Sequence, residues 1–314
     1  MNRLSKSLFI AAASVAMTGV AFADDAPPPG DPPTGDPATA PPPDGAKVEV
    51  GVAMGGVFTA ETWPKEYVVR PQNIYGGGIE ISPRFDLNYS SVDDGMGGTT
   101  SSTVTSIGVG GRYGISDKLE LLAQFNRIVL TGVDGIEAGD RVKGSLTVGA
   151  GIGVAKGKLD AEVKAALNYD LLFETAAIFA GVDVRFHLGP KMWIGTPTNR
   201  PGLVAFVKGL DLGVATVSPI FFNLPVAFAF QATPELAIQA NTALFRLNLN
   251  EDAKGGPDGD ALFLFGSDQF GIPLDLDVIY AVSNKMDVQA NLNFGDLNNA
   301  GDAIAISAGV NIRL

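Results

Sequence analysis

Residues 79–90 read IEISPRFDLNYS. Ile79, Ile81, Phe85, Leu87 and Tyr89 alternate with Glu80, Ser82, Arg84, Asp86, Asn88 and Ser90. Successive side chains of a strand point to opposite faces, so this period of two predicts a strand with one apolar and one charged side. In a soluble sandwich the apolar side turns inward. In a membrane barrel it turns outward, into lipid. The stretch by itself leaves both open, and the rest of the chain has to choose.

The pattern recurs. Residues 159–170, LDAEVKAALNYD, set Leu159, Val163 and Leu167 against Asp160, Glu162, Lys164 and Asn168. Residues 177–188, AIFAGVDVRFHL, set Ile178, Val182, Val184 and Phe186 against Asp183, Arg185 and His187. Residues 270–280 set Ile272, Leu274, Leu276, Val278 and Tyr280 against Asp275 and Asp277, and the stretch 142–154 alternates in the same way. An internal repeat starts at Tyr113, Phe230 and Tyr280: an aromatic, two residues, Ser or Thr, then Asp, Pro or Asn, then Lys or Glu, then an alternating strand. The polar tetrad predicts a tight turn, hence a hairpin. Longer polar connections, at 91–102, 132–140, 250–260 and 295–302, alternate with the short turns. One rim of turns and one rim of loops is the layout of a closed antiparallel meander. The count from residue 76 to 314 is about twelve strands, within 10–14. The stretch 189–220, broken by TPTNRPG, is assigned one strand near 203–214.

Three features favour lipid outside. Ile79–Tyr89, Leu159–Tyr169 and Phe270–Tyr280 each span eleven residues, the length a tilted strand needs to cross a bilayer. Tyr89, Tyr169 and Phe294 close apolar faces toward the long loops, and Tyr113, Phe230 and Tyr280 toward the short turns; two aromatic girdles fit two interfaces. The opposite face mixes ions with Gly, Ala, Ser and Thr, as a crowded wet interior would. The fold expected is therefore all-β, an antiparallel up-and-down transmembrane β-barrel.

Composition excludes several classes. The 314 residues contain no cysteine, so disulfides and thiolate metal sites are absent. The net charge is −12, or −14 without Arg3 and Lys6 of the leader, which argues against nucleic acid as a partner. Residues 1–23 read as a cleaved export signal: two bases, an apolar core and Ala21-Phe22-Ala23 before the cut. Residues 24–46 hold nine of the 20 prolines and read as a disordered or polyproline spacer. Residues 47–75 read as a periplasmic lead-in or an extra strand at 47–58, followed by the non-strand connector TWPKEYVVRPQN. Residues 76–314 are the barrel.

The export signal, the repeated turn–strand units and the last strand, Ile304, Ile306, Ala308, Val310, Ile312 and Leu314, together resemble Gram-negative outer membrane β-barrel proteins. The resemblance covers 76–314 and rests on pattern rather than on a motif. Members of that class usually end in Phe or Trp, and this chain ends in Leu314. The resemblance implies localisation in the outer membrane, a periplasmic N-terminus, short turns on the periplasmic side and long loops outside.

With the apolar face outward, the residues lining the interior are Glu80, Arg84, Asp86, Arg112, Glu120, Arg141, Lys143, Asp160, Glu162, Lys164, Asp183, Arg185, Asp275, Asp277, Asp287 and Arg313, nine acids and seven bases. Mixed signs predict ion pairs across the wall and weak charge selectivity. Twelve strands lie between the filled eight-stranded barrel and the open sixteen-stranded porin, so the pore is expected to be narrow, with Pro-rich or loop segments able to plug it. His187, the single histidine, falls on the interior face, away from lipid substrates, and predicts no catalysis. The loop DAKGGPDGD lacks calcium-hand spacing, and the glycines of 149–158 belong to a strand and turn rather than a phosphate loop. No cofactor is expected. The expected function is a narrow, weakly selective passive channel for small hydrophilic solutes. The alternative is a non-conducting structural or binding barrel acting through its loops or Pro-rich arm. Expected partners are membrane lipid and small solutes.

Overall fold

The computed structural model describes residues 58–93, 99–131, 143–171, 175–197, 205–210, 220–248, 262–264, 271–299 and 302–314. The export signal, the Pro-rich spacer and Arg141 lie outside the described residues. Fourteen strands make one sheet among the described residues: β1 (Ile79–Asp93), β2 (Thr99–Ser116), β3 (Leu119–Thr131), β4 (Ser145–Ala155), β5 (Leu159–Asp170), β6 (Thr175–Gly189), β7 (Met192–Gly195), β8 (Ala205–Leu210), β9 (Ile220–Gln231), β10 (Leu236–Asn248), β11 (Leu262–Leu264), β12 (Leu274–Ser283), β13 (Met286–Phe294) and β14 (Ala303–Arg313). Every neighbouring pair is antiparallel, and β1 pairs with β14, so the sheet closes on itself.

The fourteen strands occupy twelve wall positions. β7 and β8 both pair with β6 and β9, one beyond the other, and share a single wall position. β11 and β12 both pair with β10 in the same way. The chain is thus a closed twelve-strand antiparallel barrel. The strand expected near 203–214 coincides with β8 among the described residues, and it shares its wall position with β7.

Exposure follows the period of two. Phe85, Val109, Leu121, Leu146, Val163, Leu167, Phe228, Val278 and Val288 are exposed on the outer surface. Glu80, Glu120, Thr147, Glu162, Lys164, Asp183, Arg185, Asp277, Asp287 and Arg313 are buried inside. A soluble sandwich would have the reverse arrangement. Outward apolar side chains and inward ions are stable only if hydrocarbon lies outside. No helix among the described residues is long and apolar enough to cross a membrane; the crossing elements are strands.

The repeated polar tetrads are hairpin turns with one chemistry. Ser116 Oγ accepts from the backbone N–H of Lys118 and Leu119, at 3.3 and 3.2 Å. Thr233 Oγ1 accepts from Glu235 and Leu236 (3.3 and 3.1 Å), and Ser283 Oγ from Lys285 (3.2 Å). The hydroxyl at the same repeat position satisfies amides that the reversing backbone leaves unpaired. These turns lie on one rim, with the start of β1 and the end of β14 beside them.

Residues 58–75 are not part of the wall. They contain one 3-10 turn at Tyr67–Val69 and no strand. Their partners, Arg112, Glu120, Arg185, Gln231, Gln239 and Asp287, are interior side chains near the short-turn rim. The segment is therefore folded into the lumen at that end.

Candidate functional site: a plugged lumen

The short-turn half of the lumen is an ionic lattice. Glu80 stands opposite Arg313 on β14 and Arg112 on β2. It accepts from Arg112 Nε and Nη2 at 3.0 and 2.7 Å and lies 2.9 Å from Arg313 Nε. Arg313 also contacts Asp287, and Arg112 lies 3.6 Å from Glu120. On the neighbouring strands Lys164 pairs with Glu162 at 3.1 Å and with Asp183. Charges removed from water need such partners, because a lone buried ion costs several kcal/mol. Gly151 belongs to the same lattice: a Cβ there would overlap the Glu162 carboxylate.

Into this lattice residues 58–75 insert one more guanidinium. Arg70 forms a fork with Asp287, Nη1 to Oδ2 at 2.7 Å and Nη2 to Oδ1 at 2.8 Å. Its Nε and Nη2 also donate to the carbonyls of Pro64 and Lys65, both at 2.8 Å, which fixes the fold of the segment itself. From the other wall, Arg185 Nη1 donates to the Arg70 carbonyl at 3.1 Å, while its guanidinium stacks over Trp193 at 5.1 Å. The wall holds the segment's main chain at three further points. Ile74 N–H donates to Glu120 (2.9 Å), Val68 N–H donates to Gln231 Oε1 (3.1 Å), and the Gln72 carbonyl accepts from Arg112 (3.1 Å). Tyr67 Oη donates to Gln239 Oε1 at 2.7 Å.

Apolar packing complements the polar contacts. Trp63, Ile74, Tyr75 and Ala60 form one buried cluster with Phe58 against it. Val68, Trp193, Ala227 and Ala229 form a second, with Tyr67 at its edge. Burying side chains such as Trp63 and Ile74 is worth roughly 1.5–3 kcal/mol each. Small inward residues make the room. A Cβ on Gly114 would overlap the Tyr75 carbonyl and lie 2.6 Å from that of Ile74, so the segment can cross β2 only over a glycine. At the mouth, Asn284 Nδ2 donates to the Glu61 carbonyl at 2.8 Å, and Lys285 pairs with the Glu61 carboxylate. That hydrogen bond from Lys285, more than any other influence, pulls the Glu61 carboxyl down to about 2.

Farther from the rim the lumen is gentler. Arg84 pairs with Asp86 at 2.9 Å, both half-buried. Asp277 accepts from Asn241 at 2.6 Å and Asn291 at 2.7 Å, and Asp275 accepts from Asn293. Gln124 donates to Asn126 (2.6 Å) and Asn168 to Thr147 (2.8 Å). This is a surface of amides and hydroxyls with few ions.

Of the sixteen residues assigned to the interior, fourteen are on strands of the wall and inward-facing. Lys143 precedes β4 and is exposed, because the ladder with β3 begins only at Ser145 opposite Asn126. Asp160 is held by Gly157 N–H (2.9 Å) and by His187 Nε2 (2.6 Å) at the short-turn rim. Among the aromatics, Tyr113, Phe230 and Tyr280 are exposed near the short-turn rim. Tyr89, Tyr169 and Phe294 are half-buried near the other rim. The residues that sequence reasoning missed are those of the insert: Trp63, Tyr67, Arg70 and Gln72. One signal was available, since a segment with Trp, two Tyr and Arg between 63 and 75 is too rich in buriable side chains for a solvated connector.

No protein-family model and no curated protein matches the chain. Solved structures do. A KdgM porin in complex with disordered oligogalacturonate is 6% identical over 74% of this chain and 98% of its own, with a TM-score of 0.47. NanC porin is 8% identical over 74% and 100%, TM-score 0.48. The translocator domain of autotransporter NalP from Neisseria meningitidis is 11% identical over 76% and 88%, TM-score 0.43. Likenesses of this degree assign no function. The closed sheet, apolar outer surface and ionic interior described above are those of a transmembrane β-barrel.

Proposed function

We propose that the barrel is a narrow passive channel for small hydrophilic solutes with weak charge preference. The observation that carries this reading is the lumen beyond the insert, where amides, hydroxyls and the Arg84–Asp86 pair line the wall. Such a surface offers a passing solute both donors and acceptors without a ring of one sign. In this reading Tyr113, Phe230 and Tyr280 seat in one headgroup layer and Tyr89, Tyr169 and Phe294 in the other, with the short turns in the periplasm. A cleaved signal at 1–23 and a spacer at 24–46 complete it. Planar bilayers test it: purified protein should give discrete conductance steps with a cation-to-anion permeability ratio within a few-fold of one. A strong single-sign preference, or no steps from a properly folded barrel with its lumen unblocked, would remove the proposal.

A second reading is a barrel that does not conduct and serves through its loops or Pro-rich arm. The observation favouring it is the filling of the short-turn half of the lumen by residues 58–75. Loop deletions that abolish partner binding while bilayers stay silent would support it.

A further inference from the structure

The insert is held as a ligand is held. Among the described residues it contributes no strand, and the ladder closes β1 on β14 without it. Removing it would break no sheet pairing. Its contacts come from interior side chains reading a main chain: Glu120 and Gln231 accept from amides, and Arg112 and Arg185 donate to carbonyls. Two side chains are read individually, Arg70 by Asp287 and Tyr67 by Gln239. Host side chains that pair with main-chain donors and acceptors, together with pockets for anchor side chains, are how proteins bind peptides. The fit is also incomplete. Gln72 is fully buried with neither amide atom hydrogen-bonded, and Trp63 Nε1 and Trp193 Nε1 are likewise buried without partners. Each unmet bond weakens the closed state relative to a fully satisfied core.

We propose that the short-turn half of the lumen is a peptide-binding site, that residues 58–75 are its resident ligand, and that solute passes only when they leave. Arg70 is the latch. Its side chain grips Asp287 on β13 while its carbonyl is gripped by Arg185 on β6, so it spans the lumen. The lattice fits this role: Asp287 loses one of its two guanidinium partners on release and keeps Arg313. This inference rests on the channel reading, and the experiment separates the two.

Three proteins are compared in planar bilayers after each shows heat-modifiable migration: the full chain, Arg70→Ala, and a variant lacking 58–75. The full chain should be closed for most of the record, Arg70→Ala open at least tenfold more of the time, and the deletion variant open continuously. A synthetic peptide of residues 58–75, added to the deletion variant, should restore block, and an Arg70→Ala peptide should need at least tenfold more to do so. Equal open time and step size in the full chain and the deletion variant would overturn the occlusion. Failure of millimolar peptide to block, or equal potency of the two peptides, would overturn the binding site. If no variant conducts, the channel reading fails. The site is then read from Trp63 fluorescence of the peptide on a deletion variant that also carries Trp193→Phe, and absence of saturable binding overturns it.

Discussion

Replacing Arg112 with Met tests whether the lattice beside the insert is dry. Arg112 is the partner of Glu80 through two hydrogen bonds, lies 3.6 Å from Glu120, and donates to the Gln72 carbonyl. The side chains of Arg112, Glu80 and Glu120 are 11%, 5% and 0% exposed. Met keeps most of the volume and removes the charge. Glu120 then keeps its hydrogen bond from the Ile74 amide, and Glu80 its contact with Arg313, and both lose their nearest cation. Breaking a buried pair from one side costs about 3–5 kcal/mol. Arg84→Met is the internal control: its pair with Asp86 sits where the side chains are 28% and 16% exposed. An ion pair in such a wetter place is worth about 0–1 kcal/mol. Equilibrium urea unfolding of both variants in lipid vesicles, followed by tryptophan fluorescence, should separate them by about 2–5 kcal/mol, the difference between those two classes. Adding Glu120→Gln to Arg112→Met should recover part of the loss, since neighbouring groups couple by about 0.5–3 kcal/mol. If the two Arg variants lose the same stability, water reaches the lattice and the physical basis given for the plug is wrong.

Three further outcomes are expected. Leu167→Arg, on the outer surface between Val148 and Ile178 of the neighbouring strands, should cost about 2–4 kcal/mol in lipid vesicles, because a cation would face hydrocarbon; an unchanged stability would mean that this face is wet. Gly114→Ala should push Tyr75 and Ile74 off β2, and in a Trp193→Phe background iodide should then quench Trp63, which is fully buried in the wild type; unchanged quenching would show that the segment does not lie against that glycine. The Glu61–Lys285 contact should be pH-dependent in a stated direction. The Glu61 carboxyl is held below its ordinary value of 4.5, at about 2, so the contact stabilises the closed mouth above 4.5 and loses that effect as pH falls toward 2. Trp63 fluorescence of the wild type should change across that interval more than that of Glu61→Gln, and identical titrations would exclude the contact.

Much of the wall was legible because its code is local. The alternation of Phe85 with Arg84 and Asp86, or of Leu167 with Asn168, states which side chains share a face within a few residues. The turn code was local too, since Ser116, Thr233 and Ser283 cap amides two or three positions away. Lys143 shows the limit of that logic: it sits in phase with the interior face of β4, but the pairing with β3 starts two residues later. Phase says where a side chain would point if the strand continued, and only the ladder says where the strand ends.

The sequence by itself determined the two-faced strands, the rims of turns and loops, and the class of barrel, because a period of two is written in consecutive residues. Only the tertiary structure decided that β7 with β8 and β11 with β12 each share one wall position, that Glu80 serves two guanidiniums, and that 58–75 fill the lumen. The reason is distance along the chain. Arg70 meets Asp287 across 217 positions and Val68 meets Gln231 across 163. Contacts of that separation leave no periodic trace in either partner's neighbourhood, and they exist only once the wall has closed and brought its interior side chains around the segment.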